Sequence, residues 1–249
     1  MKKTLAMTVA LGLAIGLASG CGYRSYKEKG MWQEFPGIYT AMEPADLTLY
    51  RELLPDKLDM PDRPIVAFFI VDYVTVVPYP MGPYLEGAVA ILGRYQDEDV
   101  WHVLTMPVTT RVACEGGRAL GFPKYVADEI TLTKNKGVVK NEGKVRLSLG
   151  YTPGLTRELE PYEEEFMNGG VSRFETTVFQ LVPPNEGPDM NRIKLVEVVP
   201  ANWESERGMV RIHISHDDPW AGLVPEDAVS PGLYQTFTGG KKMVSEKIE

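Results

Sequence analysis

Short runs of β-branched and aromatic residues, separated by glycine and proline, make up most of this chain and limit what it can fold into. Such residues suit a pleated, half-buried surface, and the breakers between them mark turns. The runs predict strands at 64–77, 87–95, 101–113, 129–134, 138–150, 173–182, 193–199 and 209–215. Asn141-Glu142-Gly143 divides the 138–150 run as a hairpin turn does. Helix signals are fewer. Leu47, Tyr50, Leu53 and Leu54 recur at helical spacing within 45–54, with Glu43-Pro44 ahead and Pro55 closing the segment. Residues 225–234 suit a helical turn or two. The 24 glycines and 19 prolines fit short connections. The pattern predicts one β-rich α+β domain, an antiparallel sheet closed into a barrel or folded into a double sheet, with a few short helices. Five glutamates within 158–165 read as an acidic loop or turn on a solvated face.

The first twenty residues stand apart from that domain. Lys2 and Lys3 precede thirteen uncharged, largely apolar residues at 5–17, and small residues follow at 18–20. That order reads as a secretory signal over 1–20. A membrane-spanning helix needs roughly 20 apolar residues, so this run is short for one. Ala18-Ser19-Gly20-Cys21 resembles the lipobox of bacterial lipoproteins, with Ala18 where a leucine is usual. The resemblance implies that Cys21 becomes a lipidated first residue and that polar residues 21–30 form a tether. The protein is then extracytoplasmic, lipid-anchored in the cell envelope. Gly22, rather than aspartate, implies the outer membrane in a Gram-negative cell. The alternative is a plain secreted protein cut near Gly20.

Residues 31–249 remain as the folded domain. Removing 20 of the 249 residues leaves 229, enough for one sizeable core. With Cys21 acylated, Cys114 has no cysteine to pair with and reads as a small buried residue. The net charge of −8 and the lack of a basic block exclude a nucleic-acid surface. His213 and His216 with Asp217 and Asp218 invite a metal reading, but positions three apart on a strand face opposite ways. No metal or cofactor is implied.

The chemistry concentrates in Gly117-Arg118-Ala119-Leu120-Gly121-Phe122-Pro123-Lys124-Tyr125-Val126. Pro123 fixes its own φ and pushes Phe122 to extended geometry, so Lys124 leaves a constrained turn in a defined direction. Apolar neighbours favour the neutral form of a lysine, and a neutral amine attacks ketones to form imines. The alternative is a surface lysine following a turn.

Gly117-Arg118 followed by Gly121-Phe122-Pro123-Lys124 resembles the signature of the acetoacetate decarboxylase family, Gly-Arg-Glu and then Gly-Tyr-Pro-Lys-Lys. About forty residues upstream, Gly82-Pro83-Tyr84-Leu85-Glu86 resembles the family's Gly-x-Tyr-x-Glu segment, and Leu53-Leu54-Pro55 matches its apolar-apolar-Pro helix end. The resemblance covers about 38–133. It implies a β-barrel or double-sheet domain in which Lys124 forms the imine and Glu86 is the catalytic acid. It also implies Arg118 and Arg111 as carboxylate-binding arginines, Phe122 and Tyr125 as pocket residues, a small keto acid or carboxylate as ligand, and a homo-oligomer. Its activity is carbon–carbon lysis, decarboxylation of an acetoacetate-like β-keto acid. The chain departs from the pattern in four places. Tyr125 replaces the second lysine, Ala119 the signature glutamate, and Phe69 a second active-site glutamate, with Asp72 the acid nearby. No arginine occupies 31–36. These departures leave two alternatives, an imine-dependent aldolase or dehydratase on a keto acid, and a non-catalytic lipoprotein that captures a small ligand.

Overall fold

The computed structural model describes residues 31–76, 81–169, 178–181 and 190–248. The signal segment, Cys21 with its tether, and most of the run expected at 173–182 lie outside the described residues. The strands are β1 (Trp32–Met42), β2 (Val66–Tyr73), β3 (Thr75–Val76), β4 (Tyr84–Tyr95), β5 (Glu98–Val108), β6 (Lys124–Val126), β7 (Glu129–Thr133), β8 (Lys136–Asn141), β9 (Lys144–Pro153), β10 (Val178–Leu181), β11 (Met190–Ile214) and β12 (Val229–Ile248). Three helices join them, α1 (Leu47–Leu53), α2 (Arg111–Arg118) and α3 (Pro161–Gly169).

All twelve strands belong to one sheet, in the order β10-β5-β4-β2-β1-β12-β11-β9-β8-β7, with β3 on β1 and β6 on β5. β5 pairs in parallel with β10 and with β6, so the sheet is mixed rather than wholly antiparallel. It curls into a half-barrel rather than a complete one, and β10 also bridges to β11. The parallel β5–β6 pair requires the chain to cross back, and α2 is that crossover.

β2 lies inside the sheet and reads Val66-Ala67-Phe68-Phe69-Ile70-Val71, all buried. Both of its faces are covered, which is why the run does not alternate with polar residues. Ala67, Phe69 and Val71 join one apolar layer with Tyr84, Met106 and Phe122. Val66, Phe68 and Ile70 join the other with Tyr50, Val139 and Leu149. α1 sits against the second layer through Tyr50, and the Asp46 carboxylate caps it by accepting the N–H groups of Thr48 and Leu49.

Several expected elements change character. The strand expected to reach residue 113 ends at Val108, because Thr110 accepts the Ala113 N–H and starts α2. The runs at 193–199 and 209–215 are two parts of β11, whose register against β12 shifts twice between Glu197 and Asn202, the second time across Pro200. Residues 225–234 do not form a helical turn; after a turn with Asp227 at φ 59°, they enter β12, which pairs with both β1 and β11. The acidic run is not simply solvated. Glu163 is buried, chelated by Arg157, and α3 sends Phe166 and Met167 into the first layer. Glu142 and Gly143 take φ 53° and 72° between β8 and β9, the left-handed pair a two-residue hairpin needs.

Candidate active site

Two strands and one turn bring the key side chains together. In β4, Tyr84, Glu86 and Ala88 point to one face, since side chains alternate along a strand. Glu86 stands opposite Val71 of β2, so it faces the first apolar layer. Lys124 opens β6 opposite Met106 of β5, which lies in the same layer. The turn into β6 is tied tightly. Leu120 and Phe122 donate their N–H groups to the Gly117 carbonyl, and the Met106 N–H reaches the Pro123 carbonyl. Gly121 sits at φ 93°, a conformation that favours glycine.

Gly117 leaves room for the lysine. A Cβ at that position would lie 2.3 Å from Lys124 Cδ and 2.5 Å from its Cε. The lysine stem therefore runs across bare helix backbone to reach β4. There its Nζ donates to Glu86 Oε2 in a short ion pair, with only 8% of the lysine side chain and 4% of the glutamate side chain exposed. The Phe122 and Tyr84 rings flank Nζ at 5.8 and 5.6 Å from their centroids.

Aromatic side chains enclose the carboxylate. The Tyr73 hydroxyl lies close enough to Glu86 for the carboxylate's charge to act on it. The Tyr84 hydroxyl accepts the Trp32 indole N–H at 3.0 Å. Burial first, and the Glu86 charge second, raise the hydroxyls of Tyr39, Tyr73 and Tyr84 well above the usual phenol value. The result is one lysine nitrogen paired with one carboxylate in apolar surroundings. Such a site can release a neutral amine for attack on a carbonyl and hold the departed proton beside it.

The structure unites Lys124, Glu86 and Phe122 and leaves the other expected site residues elsewhere. Arg111 is exposed and pairs with Glu115 at 3.6 Å. Arg118 is exposed on the last turn of α2. Neither is buried with the lysine. Tyr125 faces the opposite layer, where burial and the neighbouring Asp218 raise its hydroxyl. It neither walls the pocket nor offers a hydroxyl to it, because the residue after Lys124 on a strand must point the other way. Asp72 follows Val71 and is turned from Glu86 by the same alternation. Phe69 does belong to the site face and touches Tyr39, with ring centroids 5.9 Å apart. Tyr39, Tyr73 and Trp32 were not legible as site residues, and Tyr84 was visible only as a position of the Gly-x-Tyr-x-Glu segment. His213 and His216 are exposed, and no cluster of three metal-ligating side chains occurs among the described residues.

The fold has counterparts. The family model for acetoacetate decarboxylase matches residues 38–247. Among solved structures, the acetoacetate decarboxylase from Legionella pneumophila superposes with a TM-score of 0.64 at 17% identity, covering 89% of this chain and 86% of that one. An acetoacetate decarboxylase-like enzyme from Sphingomonas wittichii gives 0.60 at 17% identity, covering 88% and 94%. The enduracididine biosynthesis enzyme MppR complexed with pyruvate gives 0.60 at 12% identity, covering 86% and 90%. No curated protein matches the chain by sequence. The structural likenesses at these identities establish the fold. The family match spans most of the chain, which therefore belongs to the acetoacetate decarboxylase family, carboxy-lyase-like enzymes.

Proposed function

We propose that this protein is a lysine-imine carbon–carbon lyase that decarboxylates a small, acetoacetate-like β-keto acid. The observation that carries the reading is the buried Lys124–Glu86 pair, threaded over Gly117 and flanked by Phe122 and Tyr84. Glu86 Oε2 accepts a proton from the Lys124 ammonium. The free amine attacks the ketone carbon, and loss of water leaves a protonated imine. The bond to the carboxylate then breaks, its electrons flow into the iminium, and carbon dioxide departs from an enamine. Protonated Glu86 delivers a proton to the enamine carbon, worth typically about 10²–10⁴-fold for a positioned acid. Hydrolysis returns the ketone and the amine, and solvent supplies the one proton consumed.

A second reading keeps Lys124 and changes the reaction to an aldolase or dehydratase step. MppR, whose fold this chain shares, has been captured with the condensation product of pyruvate and imidazole 4-carboxaldehyde.

The test is borohydride trapping on the chain without residues 1–20, with panels of β-keto and α-keto acids, read by peptide mass spectrometry. A ligand-dependent adduct on Lys124, absent from Lys124→Ala, supports imine chemistry, and carbon dioxide release separates the two readings. Ligand binding without any adduct would leave a small-ligand-binding protein.

We also propose that Cys21 carries lipid and anchors the domain in the cell envelope. Support comes from the charged start, the apolar run and the small residues before Cys21. A clickable palmitate analogue should label the wild-type chain in bacterial cells and not Cys21→Ala. An unlabelled wild type would end the lipid proposal.

A further inference from the structure

The aromatic neighbour of Glu86 on β2 deepens the lysine-imine reading and rests on it. We propose that Tyr73 is a positioning residue, a phenol that holds the Glu86 carboxyl so that Oε2 stays aimed at Lys124. The register supports this without reference to acidity. Tyr73 stands opposite Tyr84, and Val71 opposite Glu86, so Tyr73 and Glu86 are diagonal neighbours on one face of the β2–β4 pair. That diagonal is within reach of an aromatic side chain, and the Glu86 charge acts on the Tyr73 hydroxyl.

Three rings fix the phenol. The Tyr73 centroid lies 4.8 Å from that of Tyr84, 5.3 Å from Phe35 and 5.7 Å from Trp32. Tyr84 is itself tied to Trp32 by the indole N–H. The phenol therefore cannot swing away without disturbing the aromatic wall, and its O–H is held on the Glu86 side of the sheet.

A carboxylate exposed by only 3% needs donors to remain charged. Lys124 supplies one donor, but it must give up its proton and then its nitrogen to the substrate. Tyr73 supplies one that persists through the cycle. It holds the rotamer of Glu86 while Lys124 is the free amine, and again while the lysine is bound as the imine. The proton still moves from Lys124 Nζ to Glu86 Oε2, and Tyr73 stays protonated throughout.

The test is Tyr73→Phe in the full chain, which keeps the ring and its packing. Three readouts apply: single-turnover borohydride trapping across pH, ligand affinity, and competitive acetylation of Lys124 by acetic anhydride without ligand. Trapping should slow roughly 10- to 100-fold, the loss typical of a hydrogen bond to a charged group, with ligand affinity within about twofold. Acetylation of Lys124 should change in rate as well, because the carboxylate that partners the amine is no longer held. In a Glu86→Gln background the same substitution should add little, the mark of residues acting as one unit. Unchanged trapping and an unchanged acetylation profile, or losses that simply add in the double variant, would overturn the proposal. If the wild type forms no adduct with any carbonyl, the imine reading fails, while the acetylation profile still decides whether Tyr73 governs the Lys124–Glu86 pair.

Discussion

Replacing Gly117 with alanine should disable the lysine without unfolding the helix that carries it. The new Cβ would meet Lys124 Cδ at 2.3 Å, Cε at 2.5 Å and Cγ at 3.1 Å. Non-bonded carbons rest at about 3.5–4.0 Å, so the stem must retreat by roughly 1 Å. Its Nζ is engaged with Glu86 and the stem with α2, so that retreat draws the amine away from the carboxylate. A misplacement of about 1 Å can cost on the order of 10²-fold in rate. Two stability effects oppose each other. Alanine in a helix gains about 0.5–1 kcal/mol over glycine. Depriving a buried charge of its partner costs about 3–5 kcal/mol, an upper bound here because the pair is displaced rather than removed. The net loss is therefore at most about 2–4 kcal/mol. Gly116 provides the control on the same helix turn, since a Cβ there would meet only the Met81 methyl, at 3.7 Å. Gly116→Ala should trap at the wild-type rate and be slightly stabilised. Urea unfolding and single-turnover borohydride trapping measure both effects. Equal trapping rates for the two alanine variants would refute the threading of Lys124 over Gly117.

Tyr125→Phe should leave trapping within about twofold of wild type, because Tyr125 packs against the opposite layer; a large loss of kcat would place its hydroxyl in the site after all. Glu163→Gln should destabilise the fold by about 1–3 kcal/mol, the penalty for weakening a buried charge-assisted network. Burial of Glu163 opposes its ionisation, but hydrogen bonds from Arg157 and the Glu160 N–H override burial and hold its carboxyl below the ordinary 4.5. Its contribution is thus fully present above 4.5 and is lost as pH falls through the lower folded value, so chemical denaturation of wild type and variant should converge only in acid. A gap that persists unchanged well below that value would show that Glu163 acts through packing and not charge.

The chain displays its central chemistry openly and hides the surround. Lys124 and Phe122 share one turn, and Glu86 closes a Gly-x-Tyr-x-Glu segment, so short motifs expose them. Tyr39 and Tyr73 reach Glu86 from β1 and β2, and only strand register makes them neighbours. β1 was not legible, because Pro36 and Gly37 interrupt it and its support comes from β2 and β12, distant in sequence. Gly37 has its own task there, since a Cβ would strike the Tyr39 ring at 2.6 Å. β12 reads poorly for a related reason. Its Pro231-Gly232 and Gly239-Gly240 break the pattern, yet its ladders with β1 and β11 hold it extended. The family resemblance implied carboxylate binding by Arg111 and Arg118, and the helix that starts at Thr110 places both in solvent.

Sorting the departures from the family signature by sheet face changes their weight. Ala119 ends α2 and is exposed, so the acid usual there is lost from a solvated helix end. Tyr125 lies across the sheet from Lys124, as any residue at that position must while β6 pairs with β5 through Met106 and Pro107. A second lysine at 125 would therefore not share a pocket with the first. Phe69 is different. It stands opposite Ala88, one alternation from Glu86, and its ring joins the layer holding Phe122 and Tyr84. Trp32 also belongs to that layer and ties up the Tyr84 hydroxyl. The imine-forming pair is thus preserved while the described wall beside it has become aromatic. A drier wall weakens solvation of a bound carboxylate and favours its loss as neutral carbon dioxide, but it offers less to a polar second substrate. On that ground the aromatic substitution at 69 supports decarboxylation over condensation with a polar partner, and Phe69→Glu should shift the balance of carbon dioxide release and aldol product toward condensation.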